Sequence, residues 1–263
     1  MLIASWNVNS IKSRLSHVVN WLEAQKPDIL LLQELKGTEF PADAFRAIKY
    51  HSEFVAQKAY NGVAIVSRDP MAVVSTRLTG DTEDSHARYL EATIKDLRMI
   101  NIYLPNGNPV GTGKFEYKLA WMERSKKRLL ALKKHTIPTV VGGDFNVIPE
   151  DIDCFSPKYW DHDALFQPEP RDRFREFIKA GYIDAFRHFN KGPGHYTFWE
   201  YYLNHWAHNR GIRIDHFLVS SSLKKRMTGC LIDKGPRGLD KPSNHPPILL
   251  SIEYPAKKAK ATQ

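Results

Sequence analysis

Thr139-Val140-Val141-Gly142-Gly143-Asp144-Phe145-Asn146 is a short apolar run that ends in two glycines, a carboxylate and an amide. A run this short, led by β-branched residues, reads as a buried strand. Polar side chains at alternate positions of an extended segment point the same way, so Asp144 and Asn146 share a face. The glycines permit close approach of backbone or substrate. A carboxylate beside an amide can orient and deprotonate a water. A Gly-Asp turn with an Asx cap would use the same residues.

The pattern recurs along the chain. Apolar runs over Leu2–Trp6, Asp28–Leu32, Gly62–Val66, Met99–Tyr103, Ile212–Val219 and Ile248–Ile252 have the length and composition of strands. Between them, Ile11–Gln25 places Leu15, Val18, Val19 and Leu22 on one helical face, with Ser10 as its start signal. Lys114–Lys134 and Arg171–Ala180 repeat the helical spacing, and Gly181 is a stop signal for the second. Strands and helices mix throughout, so sheets covered by helices are expected, in one domain over residues 1–254. Residues 255–263 form a polar, basic tail expected to be disordered. No internal repeat is evident.

With 263 residues and 42% hydrophobic residues, the chain can bury a sizeable core. The net charge of +9 favours polyanionic partners, nucleic acid among them. Cys154 and Cys230 lack the spacing of a zinc site or redox pair and read as free thiols of a reducing compartment. The N-terminus lacks the marks of a signal peptide, and no apolar run is long enough to span a membrane. A cytoplasmic monomer is expected.

Polar residues gather at the strand ends. Asn7, Glu34, Tyr103, Asp144, Asn146 and Asp215 lie at or near strand termini, and His245 follows the turn-prone Lys241-Pro242-Ser243-Asn244. Each alone reads as a turn cap. Together they mark a ligand site, because α/β proteins bind ligands at such ends. Glu34 and Asn7 offer the hard oxygen donors that suit Mg²⁺. No Cys/His cluster suggests zinc. His135 and His162 read as surface residues.

These segments resemble the exonuclease III family of apurinic/apyrimidinic endonucleases, within the endonuclease/exonuclease/phosphatase superfamily. The resemblance rests on Trp6-Asn7-Val8-Asn9-Ser10, Leu32-Gln33-Glu34-Leu35-Lys36, Tyr103-Leu104-Pro105-Asn106-Gly107, Gly143-Asp144-Phe145-Asn146, Gly211-Ile212-Arg213-Ile214-Asp215-His216 and Pro242-Ser243-Asn244-His245, in that order. Tyr117-Lys118-Leu119-Ala120-Trp121 and the stretches 146–153 and 163–169 match the bacterial branch. It implies a four-layer α/β sandwich, with two mixed sheets face to face and helices outside. It also implies a Mg²⁺-dependent (or Mn²⁺-dependent) hydrolase acting on double-stranded DNA that contains abasic sites or blocked 3′ ends.

The resemblance also implies roles. Glu34 would bind the metal, with Asn7 nearby. Asp144 and Asn146 would position and activate water, Tyr103 and Asn106 would contact phosphate, and Asp215 and His245 would form a carboxylate–imidazole pair. Lys12, Arg14 and Arg88 are candidate phosphate contacts, each of which could equally be simple surface charge. Phe198, Ile212 and Ile214 would wall a pocket for a base-less sugar, beside the aromatic stretch 197–206. The sequence departs from the family at Asn244, where an aspartate is usual. A neutral amide there predicts one principal ion, on the Glu34 side. The alternatives are a specialist in 3′-end processing, a superfamily phosphatase acting on inositol phosphates, sphingomyelin or poly(A), and a non-enzymatic nucleic-acid binder.

Overall fold

A computed structural model describes residues 1–135 and 137–254; the expected basic tail lies outside them. In chain order the elements are β1 (Leu2–Asn7), α1 (Ile11–Gln25), β2 (Ile29–Gln33), α2 (Ala42–Ala47), β3 (His51–Val55), β4 (Val63–Ser67), β5 (Met71–Ser75), β6 (Tyr89–Ile94) and β7 (Leu97–Tyr103). Then follow α3 (Gly113–Lys133), β8 (Thr139–Asp144), α4 (Pro157–Trp160), α5 (Pro168–Lys179), β9 (Tyr182–Asp184), α6 (Ala185–Phe189), β10 (Asp215–Ser220), β11 (Met227–Ile232) and β12 (Ile248–Ile252).

The strands form two six-stranded sheets, β11-β12-β1-β2-β4-β3 and β5-β6-β7-β8-β10-β9. Each holds one parallel pair at its centre, β1 with β2 and β7 with β8, and all other neighbours are antiparallel. Each parallel pair is joined through a long helix, α1 or α3. The sheets therefore share one plan, although the sequence shows no repeat.

Three apolar layers hold the sandwich together. Between the sheets, Ile3, Leu31 and Ile65 pack with Leu90, Met99, Val140 and Phe217. Trp6, Val18, Leu22 and Phe45 join the first sheet to α1 and α2. Ile102, Trp121, Leu129, Phe174 and Phe177 join the second to α3 and α5. The result is the expected four-layer α/β sandwich. One polar bridge crosses the middle: Gln33 Nε2 donates to Asn101 Oδ1 at 2.7 Å, and Asn101 Nδ2 donates to the carbonyls of Leu32 and Ala64. It pairs both ends of the buried Asn101 amide and the Gln33 nitrogen, leaving Gln33 Oε1 without a protein partner.

The end signals act as expected at α1 and α5. The Ser10 side chain accepts from the Ser13 N–H. Gly181, at φ 99°, donates its N–H to the Ile178 carbonyl after α5. The extended reading of Ile212–Val219 is corrected: β10 begins at Asp215, and Ile212 makes only isolated bridges, to Cys154 and Phe198. Gly142 and Gly143 serve packing. A side chain at Gly142 would meet Phe217 and Leu31, and one at Gly143 would overlap the Ile102 carbonyl.

Candidate active site

The two parallel pairs aim their C-terminal ends at one place. In the second sheet, Asp144 pairs in register with Tyr103 on one side and Asp215 on the other, so three functional side chains form a row across β7, β8 and β10. From the first sheet, Asn7 ends β1 and Glu34 follows β2. Asn7 Nδ2 joins the halves, donating to Glu34 Oε1 at 2.8 Å and to Asp144 Oδ2 at 2.9 Å.

The last member arrives on the loop before β12. Ser243 donates to the Asn7 carbonyl at 2.7 Å, and Trp6 Nε1 donates to the His245 carbonyl at 2.9 Å. These bonds bring His245 against Asp215, with Nδ1 2.8 Å from Oδ2. The other ring nitrogen, Nε2, lies 3.9 Å from Asp144 Oδ2. Asp215, His245 and Asp144 are all buried.

The charges of this cluster shift one another. Burial pushes the Asp144 carboxyl up to about 7, with the Asp215 charge acting in the same direction; His245 and the Asn146 N–H pull the other way. Burial alone would lower His245, but the Asp215 charge and hydrogen bond, backed by Asp144 and Glu34, outweigh it and raise the imidazole to about 9. Burial would raise Glu34, yet Lys36, Asn7 and His245 hold it below the usual carboxylate value. Burial and the charges of Glu34 and Asp144 raise Tyr103 well above the ordinary phenol value, so it stays a donor.

Asn146 holds the next position in the left-handed region, at φ 46°. Its N–H donates to Asp144 Oδ1, its Nδ2 donates to the Leu104 carbonyl, and its Oδ1 accepts from Asn106 Nδ2 at 3.2 Å. Asn106 thereby belongs to the same network. Arg88 lies with its guanidinium 4.8 Å from the centre of the Tyr103 ring and donates to the Tyr103 carbonyl. Arg88 and Asn106 also line a groove of about 570 Å³ with His86, Lys114 and Tyr117. Lys12 is exposed on the first turn of α1, whose start is hydrogen-bonded to the Glu34 segment.

Phe198 sits at the site, its ring 5.0 Å from that of His245. Ile212 and Ile214 do not reach a surface. They are 0% and 2% exposed and pack in a cluster with Ile148, Trp160 and Phe166, so they back Phe198 instead of presenting a wall. The aromatic stretch divides in two. Trp199 is buried against Trp206, while Tyr201 and Tyr202 are each 55% exposed. His135 and His162 take no part in the cluster of Glu34, Asp144 and His245.

Single ligand atoms of Glu34, Asp144 and His245 lie within 4.8 Å of one another. The two carboxylates fit a hard divalent cation that keeps several waters. The Lys36 ammonium, 2.8 Å from Glu34 Oε2, shows that this corner attracts positive charge. A buried acceptor, Asp215 Oδ1, has no protein partner. The Asn7 oxygen accepts from the Asn9 N–H, and its nitrogen faces the carboxylates and orients Glu34.

Sequence reading missed Lys36 and Asn9 as members of the site. Lys36 Nζ also donates to Asn9 Oδ1, and Asn9 Nδ2 donates to Asn244 Oδ1 and to the Tyr201 hydroxyl. Opposite charges at Glu34 and Lys36 were the available signal. What brings them together is left-handed backbone, φ 55° at Glu34 and 54° at Lys36.

Comparison with known proteins agrees with this geometry. The description of the endonuclease/exonuclease/phosphatase family matches residues 4–245. A Bacillus subtilis protein named exodeoxyribonuclease is 30% identical over 257 residues, covering 96% of this chain and 99% of its own. An AP endonuclease from Archaeoglobus fulgidus superimposes with a TM-score of 0.93 at 35% identity, over 97% of this chain and all of its own. A 3′ phosphatase from Neisseria, solved with a product DNA hairpin, does so equally, with a TM-score of 0.93, 34% identity and the same coverage. The row of Tyr103, Asp144 and Asp215 facing Glu34 and His245 is thus set in a fold shared along nearly its whole length with such nucleases, and this chain belongs to the endonuclease/exonuclease/phosphatase family, among its exodeoxyribonuclease and AP-endonuclease members.

Proposed function

We propose that this DNA-repair nuclease is a Mg²⁺-dependent phosphodiesterase that cuts double-stranded DNA on the 5′ side of abasic sites and also cleans or trims 3′ ends. The observation that carries the reading is the contact of Asn7 with both Glu34 and Asp144, which joins a cation corner to a candidate base. Asp144, with its raised pKa, takes a proton from water held by Asn146. The water oxygen bonds to phosphorus, the bond to the 3′-oxygen breaks and that oxygen takes a proton from solvent, leaving a 3′-hydroxyl and a 5′-phosphate end. Tyr103, Asn106 and cationic His245 supply donors where negative charge develops. A divalent cation at Glu34 would add positive charge at the phosphate. Arg88 and Lys12 contact flanking phosphates, and Phe198 meets the base-less sugar.

Specialisation for 3′ ends is the second reading. It is favoured by the equal fit of the Neisseria 3′ phosphatase and the Archaeoglobus AP endonuclease. In either reading the protein acts as a cytoplasmic monomer, consistent with its two free, buried cysteines. Among the described residues no helix is long and apolar enough to cross a membrane.

A labelled duplex with one tetrahydrofuran abasic analogue, assayed with Mg²⁺ and with EDTA, tests the proposal. An intact duplex and one with a blocked 3′ end run alongside. Mg²⁺-dependent incision 5′ to the analogue is expected. Trimming of 3′ ends without incision would establish the specialist, and inactivity on every DNA would overturn both readings.

A further inference from the structure

Lys118 lies on α3 with none of its surface exposed. A buried ammonium is costly unless its hydrogen bonds are met. Here all three N–H bonds go to main-chain carbonyls: Asn106 at 2.9 Å, Asn146 at 2.6 Å and Ala164 at 2.9 Å. Among the described residues no carboxylate lies within ion-pair distance of it. Asp163 and Asp144 act on it only from farther off, against the burial that lowers its pKa.

The three carbonyls belong to three separate segments. Two come from Asn106 and Asn146, whose side chains bond each other in the site. The third segment is fastened to the first: Asn108 Nδ2 donates to Asp163 Oδ1, and the Ala164 N–H donates to Asn108 Oδ1. Gly107, at φ 90°, lets its loop close over the lysine; a side chain there would come 2.6 Å from Lys118 Cδ. Asn146 is left-handed, which costs an L-residue free energy that its surroundings must supply. A bond to its carbonyl from below is one such constraint.

We propose that Lys118 is a positioning residue for the reaction, its ammonium fixing the main chain of Asn106 and Asn146 so that their amides meet the phosphate and the water. It touches neither. The inference rests on the proposed nuclease function. An apolar side chain of similar length would pack in the same space but leave three buried acceptors unpaired, freeing the two loops to shift.

The test compares Lys118→Met with the unaltered protein. Single-turnover incision, steady-state kcat and KM, and hydrogen exchange at residues 104–108 and 145–148 are measured together. Because a misplacement of about 1 Å costs on the order of 100-fold, kcat should fall about 100-fold, with KM within about threefold and exchange faster in both loops. Unchanged kcat in a folded Met variant would overturn the proposal, as would a loss confined to KM. Should that variant fail to fold, the side-chain nitrogen spectrum of the unaltered protein decides: three slowly exchanging protons on Lys118 are expected, and a neutral amine would overturn it. If the unaltered protein cuts no DNA, the functional reading fails, while exchange and the nitrogen spectrum still report on Lys118.

Discussion

Nδ1 of His245 lies 2.8 Å from Oδ2 of Asp215, with both residues buried. Together with the raised Asp144 carboxyl, this sets a pH window. Activity needs Asp144 ionised, so kcat/KM should rise with pH through about 7. It needs His245 charged, so it should fall through about 9. Asp215→Asn removes the charge that holds the imidazole up, leaving burial to lower it, and the alkaline limb should move to lower pH. Rate profiles of both proteins check this; an unmoved alkaline limb would assign it to another group.

The same shifts affect stability. A raised His245 pKa contributes stability that is fully present below its ordinary value of 6.5 and lost as pH rises through about 9. A raised Asp144 pKa means that ionising this buried carboxyl opposes folding as pH rises from 3.8 through about 7. Both predict a lower melting temperature at pH 9 than at pH 6 in metal-free buffer, which calorimetry at the two values measures.

Asp144→Asn removes the proton acceptor while keeping the shape of the side chain. Single-turnover incision should drop by roughly 10²- to 10⁴-fold, the usual worth of a general base. Quenched-flow assays at saturating protein measure it. A near-normal rate would mean that another group takes the proton.

Glu34→Gln and Lys36→Met should act in opposite directions on the cation. Removing the carboxylate weakens cation binding. Removing the ammonium 2.8 Å from it lifts a competing charge and tightens binding. Calorimetric titration with Mg²⁺ reads both without reference to turnover. Asn244 accepts from Asn9 and adds no charge to the cluster, so a crystal soaked in Mn²⁺ should show one strong ion on the Glu34 side. Two strong ions would contradict the role given to this amide.

Arg213 is fully buried and donates to both oxygens of Asp153 and to Asp184 Oδ2 at 2.9 Å, and lies 2.7 Å from His216 Nδ1. Burial and the guanidinium hold that histidine down at about 4, so it stays neutral. Arg213→Met strands two carboxylates and should cost about 3 kcal/mol, or roughly 10 °C in melting temperature. Arg187, which also donates to Asp153, limits the loss. Thermal melts check the figure.

Buried strands were legible because both their faces are covered: Thr139–Gly143 and Ile29–Leu32 read as unbroken apolar runs. β3 and β5 were not, because their residues are largely exposed at sheet edges. β6 is buried yet was hidden by Glu91 at its centre. Arg98 and Arg128 neutralise that charge from β7 and α3, which no local pattern reveals, and Tyr89 on the same strand adds a hydrogen bond. At the site, residue types at strand ends announced Glu34, Tyr103, Asp144 and Asp215. The contacts of the Asn7 nitrogen with Glu34 and Asp144 and the burial of Ile212 and Ile214 depend on partners far along the chain.

The bonds from Ser243 to Asn7 and from Trp6 to His245 span 236 and 239 residues of sequence. β12 lies between β1 and β11, so the loop that carries the imidazole is anchored only once the final strand is in place. A nascent chain that has reached residue 240 already carries Glu34, Asp144 and Asp215 but has no His245 to meet them. The Asp215–His245 pair thus waits on the docking of β12 beside β1, which ties the two most distant strands of the described chain into one site.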